Sequence, residues 1–375
     1  MNKKLIVLAV AAATLAPAVV TAQSANPVTL YGRVYGTFES VESTKGLGGQ
    51  AQPRRNRVSD NASYLGVKGV EDLGGGLNAW FQLESAAPID VGGGTLASRN
   101  SAVGLQGGFG TVFLGRWDTP FKTATVATDA WGDLNIASIQ AVMNDQRNFH
   151  LRANNTVGYW SPVVNGLQAK FHYAAPEAKT TGAGAVTPIL YSLSATYTGG
   201  PFYAGYAYEQ HKDRVGAEPT LPPGTCLGGS CSGYSEKAHA IFGTAVVGPF
   251  KFTALAEQFT KNSSLPANAN YPKQKSFLIS GTYNVGKGAF VAQYMQAKDS
   301  IRQTTNNPNN IKNKVQNFSL GYQYNYSKRT QAHVLYTETF NNFGTQGNFG
   351  FVNQLTGLTS GQDVKGISVG IRHLF

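Results

Sequence analysis

Sulfur, charge and long apolar runs are all scarce in this chain. It has two cysteines, Cys226 and Cys231, and three methionines. Two cysteines cannot build a disulfide-dense scaffold or a four-cysteine zinc site. The six histidines (His150, His172, His211, His239, His333 and His373) stand singly, with no His-x-x-x-His or Cys-His spacing, so no metal or cofactor is expected. Charged residues make up only 14% of the chain, which excludes a nucleic-acid binder packed with Lys and Arg despite a net charge of +11. Beyond residue 22 no stretch is long and apolar enough for a spanning helix. Runs such as "GVEDLGGG" and "VGGGTLAS" lack the Lys-Ser/Thr ending of a phosphate loop. No nucleophile, base and acid are spaced as a catalytic set, so an enzyme is not expected.

Glycine and aromatics are abundant: 44 Gly, 18 Tyr and 20 Phe. Those residues favour turns and strands. The N-terminus reads "MNKKLIVLAVAAATLAPAVVTA", a basic start, an apolar core and small residues before a cut. It is expected to be a secretory signal spanning 1–22, leaving a single unit over 23–375. Its loss removes Lys3 and Lys4 and takes the formal charge from +11 to +9. Export implies an oxidising compartment, where Cys226 and Cys231, five apart in "CLGGSC", are expected to form a local disulfide.

From Val28 onward one unit repeats, about ten alternating residues and then a turn. "VTLYGRVYGTF" sets Val28, Leu30, Val34 and Phe38 against Thr29, Tyr31, Arg33 and Tyr35. "LNAWFQLE" and "NFSLGYQYNY" alternate in the same way. Period two with one apolar face means half-buried strands. The connections come in two lengths. Short ones include 73–76, 107–110, 198–201, 247–249, 285–288 and 327–330. Long ones cover 41–60, 118–148, 177–188, 212–235, 262–273, 299–314 and 341–363. A soluble sandwich has no need for that asymmetry. A transmembrane barrel has short periplasmic turns and long external loops, and it hides an apolar outside within a mean hydropathy of −0.20. The expected fold is therefore all-β, an antiparallel transmembrane β-barrel of about sixteen strands. The chain ends on an alternating strand, "VKGISVGIRHLF", which must close against the first strand because an open edge cannot sit in hydrocarbon.

Four blocks appear in order: "SYLGVKGVEDLGGGLNAWFQLE", "RNSAVGLQGGFGTVFLGRWDTPF", "RANNTVGYWSPVVNG" and "GIRHLF". Together they resemble the trimeric general-diffusion porins of Gram-negative bacteria, above all the betaproteobacterial and neisserial group. The resemblance implies a homotrimer in the outer membrane, in contact with lipopolysaccharide, passing small hydrophilic solutes and ions without a cofactor. It also implies that the third external loop, 118–148, folds into the lumen as a constriction. That loop carries Asp118, Asp129, Asp133 and Asp145. The facing basic side is expected to draw on Arg33, Lys68, Arg152 and Arg372, which alternation puts on the polar face, as it does Lys170. Arg99 joins them by similarity, although its parity groups it with Val103 and Leu105, and Arg116 shares that conflict. Ser63-Tyr64 stands where relatives often read Ser-Arg, which removes one charge from the ladder. The balance leans towards anions. A substrate-specific channel for sugars or phosphates is the alternative. In such families the terminal aromatic, here Phe375, resembles the signal read by the outer-membrane assembly machinery.

Overall fold

The computed structural model describes residues 28–46, 49–132, 135–143, 149–177, 179–213, 225–226, 229–230, 232–262, 273–299, 314–342, 348–349, 354–359 and 361–375. The signal expected over 1–22, together with Asp133, Asp145 and Cys231, lies outside the described residues.

The strands are β1 (Thr29–Ser43), β2 (Arg55–Asp60), β3 (Tyr64–Gly74), β4 (Leu77–Ala86), β5 (Ser101–Gly107), β6 (Gly110–Asp118), β7 (Arg152–Trp160), β8 (Leu167–Ala174), β9 (Ile189–Gly199) and β10 (Phe202–Lys212). A two-residue hairpin follows, β11 (Thr225–Cys226) and β12 (Gly229–Ser230). Then come β13 (Ser235–Val247), β14 (Phe250–Asn262), β15 (Gln274–Val285), β16 (Gly288–Asp299), β17 (Lys314–Asn325), β18 (Thr330–Asn341) and β19 (Val364–Leu374).

All but the small hairpin join one antiparallel sheet of 17 strands that closes through β1 and β19. β2 and β3 both pair with β1 and form one interrupted stave, so the barrel has sixteen. The break falls at residues 61–63, where Ala62 takes φ +54. The segment read as a loop over 41–60 is thus partly strand at both ends. β1 runs on to Ser43, and β2 returns from Arg55. β2 carries a single apolar residue, Val58, so alternation does not mark it as a strand.

Alternation sorts the side chains as expected. On β1 Leu30, Val34 and Phe38 are exposed outward, while Tyr35, Thr37, Glu39 and Val41 are buried inward. On β17 Phe318 and Leu320 are exposed, and Asn317 and Ser319 are buried. A continuous apolar outer belt is what lipid requires, and the inverted pattern would expose charges to hydrocarbon at about 2–4 kcal/mol each near mid-depth. Outward aromatics gather near the short turns: Phe250 stacks on Tyr283 with centroids 4.9 Å apart, and Phe290 packs on Tyr322 at 4.9 Å.

The C-terminus is fixed in this belt. Phe375 and Gly32 exchange two backbone hydrogen bonds, each 3.1 Å. The Phe375 ring covers Gly32 so closely that a β-carbon there would stand 2.5 Å from it. A side chain at position 32 would evict the terminal aromatic.

Candidate functional site: the lumen constriction

The segment after β6 enters the barrel. Thr119 caps helix α1 (Pro120–Val126), its hydroxyl accepting from the Lys122 amide, with Pro120 in the first turn. The Phe121 amide donates to Ser192 Oγ on β9 at 3.0 Å, and the Tyr203 hydroxyl of β10 donates to the Ala124 carbonyl. The chain then crosses to the far wall. The Trp131 indole donates to Ser319 Oγ on β17 at 2.8 Å, and Asn135 Nδ2 donates to the Tyr35 hydroxyl on β1. A 3-10 turn (Ile139–Ala141) leads back, and Phe149 stacks on His211 with centroids 4.6 Å apart.

Two apolar clusters hold this loop to the inner wall. Phe121, Ile139, Val142, Met143 and Phe149 pack with Phe242, Leu255, Phe259, Leu278 and Met295. Trp131, Ile136 and Ala137 pack with Val41, Val291, Leu335 and Val364. The loop therefore lies along the side formed by β9, β10 and β13–β19 and reaches β1 at Tyr35 and Val41.

Asp129 acts within the loop. Its carboxylate accepts from the Ile139 amide at 2.8 Å, the Trp131 amide at 3.0 Å and Gln293 Nε2 at 3.3 Å, and it is 6% exposed. Asp118 is enclosed at the loop's root, with Lys122 Nζ at 2.8 Å, Asn100 Nδ2 at 3.0 Å and an Arg152 nitrogen at 3.2 Å. Beside it, burial and then the Lys122 charge push the His150 imidazole down to about 3, so it is neutral at pH 7, with Nε2 2.9 Å from Thr125 Oγ1.

The opposite side is basic. β1 organises it, because four of its inner positions carry a cation or pair with one. Glu39 pairs with Arg57, Tyr35 with Arg372, Arg33 with Tyr64 and Thr29 with Lys68. At about 3.4 Å rise per residue, these cations lie roughly 7–14 Å apart along the strand. Arg57 Nε binds the fully buried Glu39 at 2.7 Å. Arg33 donates to the Asn61 and Ala62 carbonyls and so braces the break between β2 and β3. Arg99, just ahead of β5, turns inward to Glu84 at 2.6 Å. Tyr64 receives both guanidiniums on its ring, Arg33 at 5.2 Å and Arg99 at 4.9 Å from the centroid. Tyr64 thus gathers two cations by cation–π attraction. Lys68 lies over Tyr31 at 5.1 Å. The Arg372 guanidinium reaches the loop, 3.5 Å from where a Gly132 β-carbon would sit.

Among the described residues, Glu39, Glu84 and Asp118 each have a cationic partner, whereas Lys68, Lys170 and Arg372 have no ion-pair partner.

Three placements differ from simple alternation. Asn154 and Asn155 of β7 together oppose Arg116, with Asn155 at φ +51. This bulge puts Ala153, not Arg152, in step with Thr156, and Ala153 is buried with Ala174 and Leu190. Arg152 instead binds Asn100 Oδ1 at 2.7 Å and Asp118. Arg116 lines a cleft with Leu114, Val157, Asn154 and Glu177, beside apolar residues of the outer belt. Arg57 belongs to the basic wall but lay in the segment read as loop. Its signal was its place two residues before Ser59, on the face that carries Glu39's partner.

The sequence pattern described as Gram-negative porin matches residues 9–344. The chain is 29% identical to outer membrane porin protein 32 of Delftia acidovorans and 28% identical to the major outer membrane protein P.IB of Neisseria sicca, in each case across the whole of both chains. Among solved structures it resembles one titled an anion-selective porin from Comamonas acidovorans, with a TM-score of 0.76, 26% identity, and coverage of 93% of this chain and 100% of the other.

Proposed function

The chain belongs to the Gram-negative porin family, and we propose that its basic wall biases this passive outer-membrane diffusion channel towards small anions. The observation that carries the bias is the charge balance of the lumen. Glu39, Glu84 and Asp118 are each matched by a cation, and Lys68, Lys170 and Arg372 have no ion-pair partner among the described residues. Opposed walls in a narrow throat focus such a field on whatever passes. The anion-selective title of the Comamonas structure supports the same direction. Arg33, Lys68, Arg99 and Arg372 would form the basic side, with Lys122, Arg152 and Asp118 as a partly neutralised cluster at the loop root. Liposomes carrying the protein should swell in small neutral sugars and faster in small organic anions of equal size. Equal or slower entry of the anions would remove the bias, and no swelling at all would remove the channel.

The assembly is proposed to be a homotrimer in lipopolysaccharide-containing membrane. Outward tyrosines such as Tyr159, Tyr197, Tyr206 and Tyr283 occur from β7 onward, while the described tyrosines of β1–β6 (Tyr31, Tyr35 and Tyr64) take part in the lumen contacts above. An outer face without interfacial tyrosine suits protein contact better than headgroups. Phe375 is proposed as the mark read by the assembly machinery. Deleting it should lower the amount of heat-resistant trimer in outer-membrane fractions, while channels that do insert conduct like wild type. Undiminished trimer would leave Phe375 with girdle packing alone.

A further inference from the structure

Three of the four tryptophans meet on one patch of the inner wall, and no part of the constriction requires them. Trp80 of β4, Phe113 and Trp117 of β6 and Trp160 of β7 lie with centroids 4.9–6.2 Å apart. The register explains how they fit. Across the wall the row runs Trp80, Gly104, Phe113, Gly158, His172. The Phe113 ring lies over Gly158, where a β-carbon would meet the ring itself, and on the other side a β-carbon on Gly104 would stand 2.7 Å from Phe113 Cβ. Phe113 is 1% exposed and forms the floor. Trp80, Trp117 and Trp160 are only half-buried, so part of each indole faces the lumen. Trp80 and Trp160 are nearly parallel, 21° between planes.

The patch also has one charge. Lys170 Nζ lies 5.4 Å above the Trp160 ring and, among the described residues, has no ion-pair partner. The Trp160 indole donates to His172 Nε2 at 3.1 Å, which fixes the ring's orientation. Inner neighbours Asn78, Gln106, Thr111 and Gln168 are neutral. A filler core would bury all its rings and would not leave a cation over one of them.

We infer that this patch is a binding platform for solutes that combine a flat aromatic ring with a carboxylate. The inference rests on the channel reading above. The ring stacks on the half-exposed indoles, and the carboxylate pairs with Lys170. A carboxylate alone lacks the stacking, and an uncharged ring leaves Lys170 unpaired. The patch begins where Trp117 adjoins Asp118 at the loop root and extends towards the short turns. A solute leaving the constriction therefore meets it next. Binding there is weak enough to release, as conduction requires.

The test is current block of the reconstituted full-length channel in potassium chloride. Benzoate should half-block at a concentration several-fold below that of acetate or benzyl alcohol. Trp160→Ala should raise the benzoate value roughly 2- to 12-fold, the range for one aromatic pair. Lys170→Gln should remove the preference for benzoate over benzyl alcohol. If Trp160→Ala fails to insert, titration calorimetry of wild-type trimer should still give a saturable benzoate signal and none for acetate. Equal block by benzoate and acetate, an unaltered Trp160→Ala channel, or stronger block by a methyl glucoside would each overturn the inference. A wild-type preparation without channels would instead overturn the channel reading.

Discussion

Replacing Lys68 and Arg372 together by glutamine should move the reversal potential of the channel, measured in a potassium chloride gradient, towards the potassium equilibrium potential. Both are lumen cations without an ion-pair partner among the described residues, and Arg372 lies against the loop at Gly132. A unit charge roughly 8 Å from a passing ion is worth about 0.5 kcal/mol in a water-like dielectric and about 2 kcal/mol at an effective value near 20. Each removal should therefore lower the anion-to-cation permeability ratio at least about twofold. Exposed charges are screened, so the shift should grow as the salt is diluted. Arg152→Ala should do less, because Asp118 in contact with it offsets part of its field and Arg152 is enclosed at the loop root. A double variant with the wild-type potential would mean that the basic wall does not set selectivity.

The second large effect concerns the loop. Trp131→Ala combined with Asp129→Ala should raise single-channel conductance and make it noisy. Trp131 is 3% exposed and supplies both the apolar anchor and the hydrogen bond to Ser319. Truncating such a residue costs about 3–5 kcal/mol in a packed core. Asp129 ties the turn at Ile139 and Trp131 together, so its loss leaves buried amides unpaired, at about 1–3 kcal/mol. Neither residue takes part in the ladder between staves, so the barrel should persist and only the obstruction should loosen. Exposure of the loop to protease in intact proteoliposomes provides a parallel readout. Unchanged conductance with a protease-resistant loop would show that the other loop contacts suffice.

The barrel was legible because a single period governs it. Once Leu30, Val34 and Phe38 are set against Tyr31, Arg33 and Tyr35, each further strand repeats the rule, and the long and short connections orient it. The lumen was less legible because its chemistry depends on places where that rule fails. Arg99 lies before its strand and turns to Glu84, a partner from the preceding stave. One extra residue at Asn154–Asn155 takes Arg152 out of step. Alternation cannot register an inserted residue. Arg57 was hidden in a stave broken at Ala62. The loop acids were visible as residues, but not as roles: Asp129 binds an amide ten residues away, and Asp118 closes on Arg152 across a gap of 34. Those pairings arise only when the loop has entered the barrel. The tryptophan patch was only partly visible: alternation in "LNAWFQLE" sets Trp80 opposite the apolar face, but the glycines that seat Phe113 beside it belong to the register.

The most direct test of a loop-constricted channel with a basic wall is the wild-type protein in a planar bilayer under a salt gradient. Expected are discrete, ohmic conductance steps whose reversal potential lies towards the chloride equilibrium potential. Steps that reverse towards the potassium potential would contradict the basic wall, and a membrane that stays silent would contradict the channel itself.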